Sequence, residues 1–283
     1  MVTRIITAIV ACALLIPVLI FADTPALPIA IAIFSVVSIY EMLACIGLKK
    51  AFSLSLPLYL IGLGMPFVIR YVKGGDLDLV RQIALAAALV VVLYFFAVLT
   101  FSHGKYKLSD VGICFMTAFY ILVGFNSILV VYDFESFGNY VYLLAFIGAW
   151  VTDTFAYFCG MLLGRGGKHK LIPDVSPKKT WEGSIGGTVF CIGAMVLFGF
   201  VISKINAQVQ VNYILLAVGG LFISIVSQIG DLCMSVIKRT YGIKDYGKIF
   251  PGHGGMLDRF DSVLAVSVIL AVFCSFFNFF EVI

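Results

Sequence analysis

The chain contains nine apolar segments of 18 to 25 residues, separated by short polar stretches. A transmembrane helix needs about 20 consecutive apolar residues, and within a bilayer only helices and closed barrels satisfy every backbone hydrogen bond. Barrel strands would alternate apolar and polar residues, which these segments do not. The sequence therefore predicts an all-α, polytopic membrane bundle of about nine transmembrane helices. The segments are Ile5–Ala22, Ala26–Leu48, Phe52–Val72, Ile83–Phe101, Gly112–Tyr132, Val141–Leu163, Gly183–Ser203, Tyr213–Ile237 and Ser262–Phe280.

The composition agrees with a membrane protein and excludes several other classes. Only 12% of the 283 residues are charged and 62% are hydrophobic, whereas soluble proteins carry about 25% charged residues. A soluble globular domain, a disordered chain and a coiled coil are therefore excluded. The seven cysteines include no Cys-x-x-Cys pair and all lie in apolar stretches, so we interpret them as small apolar side chains rather than as a disulfide framework.

The basic residues are distributed unequally between the two sides of the predicted bundle. When alternate loops are assigned to one side, 15 of the 19 Lys and Arg residues lie on the side of the amino terminus, and Arg70, Lys73, Arg81 and Lys204 lie on the other. The positive-inside rule then places the amino terminus and the basic loops in the cytoplasm. We expect a multi-pass protein of the cell membrane, inner or plasma.

Polar residues accumulate in the second half of the chain. The first five apolar segments are nearly featureless, whereas polar side chains lie in and around the last four. The sequence therefore predicts scaffold and lipid-access helices over residues 1–147. Residues 148–283 are predicted to form the catalytic half, with transmembrane helices and two basic cytoplasmic loops.

Three acids, Glu41, Asp153 and Asp231, lie within apolar segments. A carboxylate near the bilayer centre costs at least ~2.5 kcal/mol on insertion scales, so such residues usually face a bundle interior or a wet cavity. Asp153 and Glu41 are alternatively explained by charge pairing that fixes helix packing. Asp231 belongs to a stripe on one helical face, which is either a cavity wall or hydrogen-bonded contact between helices. The stripe comprises Ser224, Ser227, Gln228, Asp231, Ser235 and Lys238, and the candidate cavity walls are Asp153, Ser227 and Ser235.

The first basic loop spans residues 164–183. Lysines beside a membrane are attracted to anionic headgroups by about 1 kcal/mol each, but the glycine and proline content of this loop favours a defined shape. Gly183, Gly186 and Gly187 open the next helix, so we expect exposed amino-terminal N–H groups beside lysines, which is typical of a phosphate site. The lysines and hydroxyl residues of the loop are Lys168, Lys170, Ser176, Lys178, Lys179 and Thr180.

The second basic loop, residues 235–261, ends in two acids, Asp258 and Asp261. On a helix, residues three apart point the same way, so these acids share a divalent cation, cap the helix, or do both. His253, set between glycines, is either a turn residue or a phosphate ligand or proton donor. Metal-assisted phosphoryl transfer needs acids for Mg²⁺, cations for phosphate oxygens and oriented backbone N–H groups. The other phosphate-binding candidates are Lys238, Arg239, Lys244, Lys248, Gly254, Gly255 and Arg259.

The two loops together resemble the phosphatidate cytidylyltransferases, also called CDP-diacylglycerol synthases. The 27 residues from 235 to 261 match every defined position of that family's signature, which reads Ser, Lys-Arg, Lys-Asp, a small residue, Phe-Pro, His-Gly-Gly, Asp-Arg and Asp. So many fixed positions make the resemblance specific. The family's second motif region is matched by Trp150, Asp153, Ala156, Tyr157, Gly160, residues 176–181 and Gly183.

The resemblance implies an enzyme of phospholipid biosynthesis that converts CTP and phosphatidic acid into CDP-diacylglycerol and pyrophosphate, with Mg²⁺ as cofactor. It also implies a protein embedded in the lipid bilayer, often a homodimer, whose active site faces the cytoplasm. No nucleic-acid partner is expected. The family's metal-binding acids match Asp231 and Asp258, with Asp261 as a supporting ligand, and a monovalent cation such as K⁺ is expected beside Mg²⁺.

Within this hypothesis we assign roles to the remaining candidates. Lys178, Lys179 and Arg259 are assigned to nucleotide phosphates, and Lys238, Arg239, Lys244 and Lys248 to phosphatidate or pyrophosphate. Ser176, Thr180, Gly254 and Gly255 are assigned more generally to nucleotide or phosphate binding. The candidate catalytic residues are Asp231, Asp258, Lys238, Arg259 and His253. The alternatives are a cytidylyltransferase or kinase acting on another lipid, and a transporter of phosphorylated solutes. A transporter predicts intramembrane charges in both halves and an inverted repeat, whereas the charges here cluster in the last four segments.

Overall fold

The computed structural model describes residues 2–72, 76–134, 137–164 and 169–282, without the side chains of residues 2–5 and 8. Lys73, Arg165 and Lys168, which contribute to the predicted charge asymmetry or the first basic loop, lie outside the described residues, as does the side chain of Arg4.

Within the described ranges, each of the nine apolar segments corresponds to one long helix, so the prediction of an all-α polytopic protein is confirmed. A four-residue helix, α6, precedes α7. The helices are α1 (Val2–Ile20), α2 (Ala26–Cys45), α3 (Phe52–Tyr71), α4 (Leu77–Phe101), α5 (Leu108–Phe134), α6 (Gly138–Val141), α7 (Leu143–Leu163), α8 (Trp181–Ile205), α9 (Tyr213–Thr240) and α10 (Leu257–Cys274).

Seven helical stretches of the described chain are long and apolar enough to cross a bilayer, namely α2, α3, α4, α5, α6 with α7, α8 and α9. Helix α10 differs because Asp258, Arg259 and Asp261 lie in its first two turns. In α1 the apolar stretch is shorter, Ile9–Ile20.

Two small antiparallel strand pairs lie in loops, where the hydropathy pattern gave no sign of them. Strand β1 (Lys170–Ile172) pairs with β2 (Ser176–Thr180) within the first basic loop. Strand β3 (Val209–Val211) pairs in register with β4 (Phe280–Val282), which ties the segment after α10 to the α8–α9 connection.

The chain divides into two compact units that alternate along the sequence. The first unit comprises the chain up to Leu129 together with Tyr241–Phe260, and the second comprises Val130–Thr240 together with the chain from Asp261. The first basic loop and Asp231 therefore belong to the second unit, and most of the second basic loop belongs to the first. The functional division at residue 148 stays a prediction.

Aromatic packing forms part of the core of the first unit. The rings of Phe34, Phe125 and Phe260 form a triangle with centroid separations of 5.0 to 6.0 Å. Phe34 lies on α2, Phe125 on α5 and Phe260 in the first turn of α10. This cluster therefore fixes the start of α10 against two other helices of the same unit.

Close helix contacts made by glycine organise the second unit. A Cβ at Gly187 of α8 would lie 2.7 Å from the carbonyl oxygen of Thr152 on α7, and one at Gly220 of α9 would lie 3.0 Å from Ile192 Cα on α8. Small residues let membrane helices approach until their backbones touch. The positions of α7, α8 and α9 are therefore set by direct backbone contact.

Candidate active site

The first basic loop forms a β-hairpin that leads directly into α8. Ser176 begins β2, and along this strand Lys178 is exposed while Lys179 is half-buried. Thr180 is the N-cap of α8, and its hydroxyl accepts a hydrogen bond of 3.1 Å from the N–H of Gly183. The hairpin therefore fixes Lys179 immediately before a capped helix.

The glycines at the start of α8 serve helix packing. Gly183 and Gly187 are buried, and a Cβ on them would collide with the carbonyl oxygens of Ala156 and Thr152 on α7, respectively. For Gly183, the expectation of an N–H group exposed to a phosphate is wrong, because Thr180 already accepts its hydrogen bond.

An ion pair joins the hairpin to the acidic residue of α9. Lys179 Nζ lies 2.6 Å from Asp231 Oδ2, with 21% and 26% of the two side chains exposed. Ser235, one turn further along α9, donates its hydroxyl to Asp231 Oδ1 at 3.3 Å. Two residues predicted from separate motifs thus lie together in one partly buried polar contact.

Two further acids of the second unit are connected to this pair. Asp261 interacts electrostatically with Asp231, Asp153 and Lys238, and both Asp261 and Lys238 are less than one-tenth exposed. Ser262 joins the group, since its N–H donates to Asp261 Oδ1 at 2.9 Å and its hydroxyl donates to Asp153 Oδ2 at 2.8 Å. Three carboxyl groups therefore lie at a site with little exposure to solvent.

Ser262 was missed by the sequence analysis. Its position after Asp261 carried no periodic signal, and its contact with α7 depends on how α7 and α10 pack. The side chain is 1% exposed, so its hydroxyl would be costly to bury without the Asp153 carboxylate as acceptor.

The polar stripe of α9 has two parts with different roles. Gln228 and Ser224 bind α8, through hydrogen bonds of 2.5 Å from the Ser184 hydroxyl to Gln228 Oε1 and of 3.0 Å between Thr188 and Ser224. For this part of the stripe, the interpretation as contact between helices is confirmed. Ser227 is fully buried. Asp231, Ser235 and Lys238 form the second part of the stripe, which belongs to the group of acids described above.

The glycine-rich turn of the second basic loop lies in the first unit. Phe250 and Gly254 exchange backbone hydrogen bonds of 2.9 and 3.1 Å. Gly252 and Gly254 have φ angles of +77° and +90°, a backbone region that side chains disfavour. His253 donates its backbone N–H to Phe250, and its Nδ1 is buried without a hydrogen-bond partner among the described residues. Gly254 thus has a conformational role, and the His253 backbone is part of the turn.

Asp258 is held by this loop in the first turn of α10. Its Oδ2 accepts hydrogen bonds from the N–H groups of Tyr246 at 2.8 Å and Gly255 at 2.9 Å, and the residue is 8% exposed. In this structure the Gly255 N–H therefore binds Asp258, although the sequence assigned it to phosphate. Two backbone N–H groups therefore hold this carboxylate oxygen in place.

Most of the predicted phosphate-binding cations are exposed. Of the candidates, Lys238 is buried beside Asp261 and Lys179 is paired with Asp231. The side chain of Arg239 also donates to the carbonyl of Val175 at 3.4 Å. The exposed candidates are Lys178, Arg239, Lys244, Lys248 and Arg259.

No group of three or more His, Cys, Asp or Glu side chains within the described ranges is arranged to hold a metal ion by itself. Mg²⁺ seldom uses an all-protein cage, and is usually bound through one or two carboxylates together with substrate phosphates and water. Asp231 in the second unit and Asp258 in the first each supply a carboxylate of the kind that such a metal binds.

Comparison with known proteins identifies the family. A model described as the cytidylyltransferase family matches residues 2–277. This chain belongs to the cytidylyltransferase family. The matched range includes both basic loops and all ten helices of the described chain, so the protein is an enzyme of the nucleotidyltransferase class, and the transporter alternative is not supported.

Several relatives of this cytidylyltransferase are similar over nearly their whole length. The phosphatidate cytidylyltransferase of Staphylococcus haemolyticus is 33% identical, and that of Staphylococcus aureus is 35% identical, each comparison covering 95% of this chain and 97% of the relative. The phosphatidate cytidylyltransferase of Bacillus subtilis is 34% identical over 89% of this chain and 90% of the relative. The predicted family is therefore confirmed.

Proposed function

We propose that this cytidylyltransferase transfers CMP from CTP to phosphatidic acid, giving CDP-diacylglycerol and pyrophosphate for phospholipid biosynthesis. Three similar proteins carry the name phosphatidate cytidylyltransferase. The observation that carries the proposal is the Lys179–Asp231 contact within an acidic group. It supplies a cation for phosphate and carboxylates for a metal at the same point.

In the proposed reaction an oxygen of the phosphatidate monoester attacks the α-phosphorus of CTP. A new P–O bond forms there, the bond to the α,β-bridging oxygen breaks, and pyrophosphate leaves with that electron pair. A phosphate monoester is already nucleophilic, so no general base is required. Positioning of the two phosphates and neutralisation of charge provide most of the acceleration.

Lys179 contributes by exchanging partners. Without substrate its ammonium neutralises Asp231; with nucleotide bound, it turns to a phosphate oxygen, while the exposed Lys178 and Arg259 neutralise further oxygens. Lys238 stays buried beside Asp261 and limits repulsion among the acids. Arg239, Lys244 and Lys248, which are exposed, receive phosphatidate or the departing pyrophosphate.

Asp231 and Asp258 are proposed to hold Mg²⁺, with Asp261 in support. When bound, Mg²⁺ would neutralise charge that develops on the transferring phosphoryl group. Three acids, Asp153, Asp231 and Asp261, lie near two lysines in the second unit. Three carboxyl groups so close together favour a monovalent cation such as K⁺ as a second ion.

The active site is proposed to face the cytoplasm of a cell-membrane protein, with the amino terminus on the same side. The unequal distribution of Lys and Arg supports this orientation. A cysteine at Lys248 should be labelled by a membrane-impermeant maleimide only after cells are opened, and one at Asn206 should be labelled in intact cells. The reverse pattern would overturn the orientation. The protein is further proposed to act as a homodimer, which cross-linking in membranes would test.

The reaction is tested by pyrophosphate release from purified protein with CTP and Mg²⁺, with and without phosphatidic acid. Release should require all three components and be abolished by EDTA. Asp258→Asn should remain folded, since an amide oxygen can still accept the Tyr246 and Gly255 N–H groups, and should lose turnover. Near-normal turnover of this variant would refute the metal assignment. CTP binding without release under any phosphatidic acid condition would indicate another acceptor lipid.

A further inference from the structure

Glu41 lies at the start of α10 although it belongs to α2. The residue is 3% exposed, and its Oε1 and Oε2 accept hydrogen bonds from the N–H groups of Met256 at 3.0 Å and Leu257 at 2.9 Å. The first N–H groups of a helix have no partner within the helix, and a carboxylate there is favoured by its charge. Glu41 therefore caps α10 from a separate helix of the same unit.

Two glycines of the second basic loop make room for this carboxylate. A Cβ at Gly247 or at Gly255 would collide with the carboxyl atoms of Glu41. The Gly247 Cβ would also lie 3.1 Å from Gly255 Cα, so the two arms of the loop are in contact. Gly247 is the small residue of the signature, and the Glu41 carboxylate explains why a larger side chain would not fit there.

The Glu41 and Asp258 carboxylates bind neighbouring amides. Asp258 takes the N–H of Gly255, and Glu41 takes those of the next two residues, Met256 and Leu257. Since these three amides are consecutive, movement of the Met256 peptide also moves the donor that orients Asp258. Glu41 therefore acts on Asp258 through the backbone between them.

We propose that Glu41 is a positioning residue for the cytidylyltransferase reaction. It holds the amides of Met256 and Leu257 so that the Asp258 carboxylate keeps a single orientation. The proposal rests on the proposed function, in which Asp258 contributes to metal binding. Loss of a group that orients a metal ligand typically lowers affinity or activity about 10- to 100-fold.

The test variant is Glu41→Gln, which keeps the size of the side chain and one carbonyl oxygen. Its NH₂ group would face a backbone N–H, so one of the two hydrogen bonds is lost. We expect kcat per folded molecule to fall about 10- to 100-fold, and the Mg²⁺ concentration for half-maximal rate to rise in the same range. Mn²⁺ binding in the presence of CTP, measured by electron paramagnetic resonance without lipid, should weaken in parallel.

The matched control is Asp76→Asn at the start of α4, where Asp76 Oδ1 accepts a 2.9 Å hydrogen bond from the N–H of Leu79. This variant makes the same acid-to-amide change at another helix terminus. It should lower thermal stability without altering kcat, the Mg²⁺ dependence or Mn²⁺ binding. A cap with a purely structural role predicts the same result for Glu41→Gln.

The outcomes separate the two proposals. If Glu41→Gln loses only stability, the positioning role is overturned. If it does not fold, Glu41→Asp is measured instead: weakened Mn²⁺ binding by folded protein supports the role, and unchanged binding or failure to fold overturns it. A wild-type protein that binds Mn²⁺ and CTP but never releases pyrophosphate with phosphatidic acid refutes the proposed function, while the comparison of Mn²⁺ binding still decides the role of Glu41.

Discussion

Replacing Gly183 by alanine tests whether the contact between α7 and α8 positions the first basic loop. The added Cβ would collide with the carbonyl oxygen of Ala156 and would lie 3.2 Å from both Gly160 Cα and Thr180 Oγ1. Two of these three atoms belong to helix backbone and cannot rotate away, so the helices must separate. Overpacking of this kind costs about 1–3 kcal/mol.

A loss of about 2 kcal/mol lowers the ratio of folded to unfolded protein roughly 30-fold. It corresponds to a decrease in melting temperature of roughly 3 °C for a chain of this size. Fluorescence-detected size-exclusion chromatography after heating in detergent measures the shift. Pyrophosphate release at a temperature where the variant is folded should also decrease, because Lys179 and Thr180 directly precede the displaced helix.

Gly193→Ala is the matched control on the same helix. Gly193 is exposed, and a Cβ there would meet nothing within 4 Å. Since alanine is favoured over glycine within helices by up to ~1 kcal/mol, this variant should be as stable as the wild type or more so. Equal melting temperatures for the two variants would refute the argument that backbone contact at Gly183 fixes α8.

Two further substitutions test the site and its support. Lys179→Met should raise the KM for CTP about tenfold or more, because a phosphate-binding cation is lost. It should also destabilise the fold by about 1 kcal/mol, because Asp231 loses its cationic partner. An unchanged KM in steady-state assays would contradict the role of Lys179. Gln228→Leu should lower the unfolding free energy by about 1 kcal/mol, because hydrogen bonds between α8 and α9 are lost. Equal denaturation midpoints of this variant and the wild type would show that the network does not join the helices.

The helices were predictable because hydropathy is a local property of the sequence. The segment Tyr213–Ile237 was predicted within three residues of α9, Tyr213–Thr240. The largest error at a helix start was in α4, which begins at Leu77 rather than Ile83. Its first turns contain the charged residues Asp78 and Arg81, so the hydropathy pattern predicts a loop there. The structure has a helix at these residues, capped by Asp76.

The contacts of the site were less predictable because they depend on which elements pack together. Helical periodicity correctly placed Ser224, Gln228 and Asp231 on one face of α9, but it could not distinguish a neighbouring helix from a cavity. The hairpin that carries Lys179 was also missed, since strands of three and five residues with several lysines give no apolar alternation. Glu41 was recognised as unusual, but its target lies more than 200 residues away in sequence.

The contact between Lys179 and Asp231 follows from how two helices, α8 and α9, are arranged. Lys179 precedes α8 by two residues, and Asp231 lies within α9 one turn after Gln228, which binds Ser184 near the start of α8. Consecutive residues of an α-helix are rotated by about 100°, so a shift of α9 by one residue would turn Asp231 away from the hairpin. The hydrogen bonds between Gln228 and Ser184 therefore set the rotation of α9, and the ion pair one turn beyond is a consequence of that register. Polar residues that hold the helices together and polar residues of the site are thus parts of one continuous face.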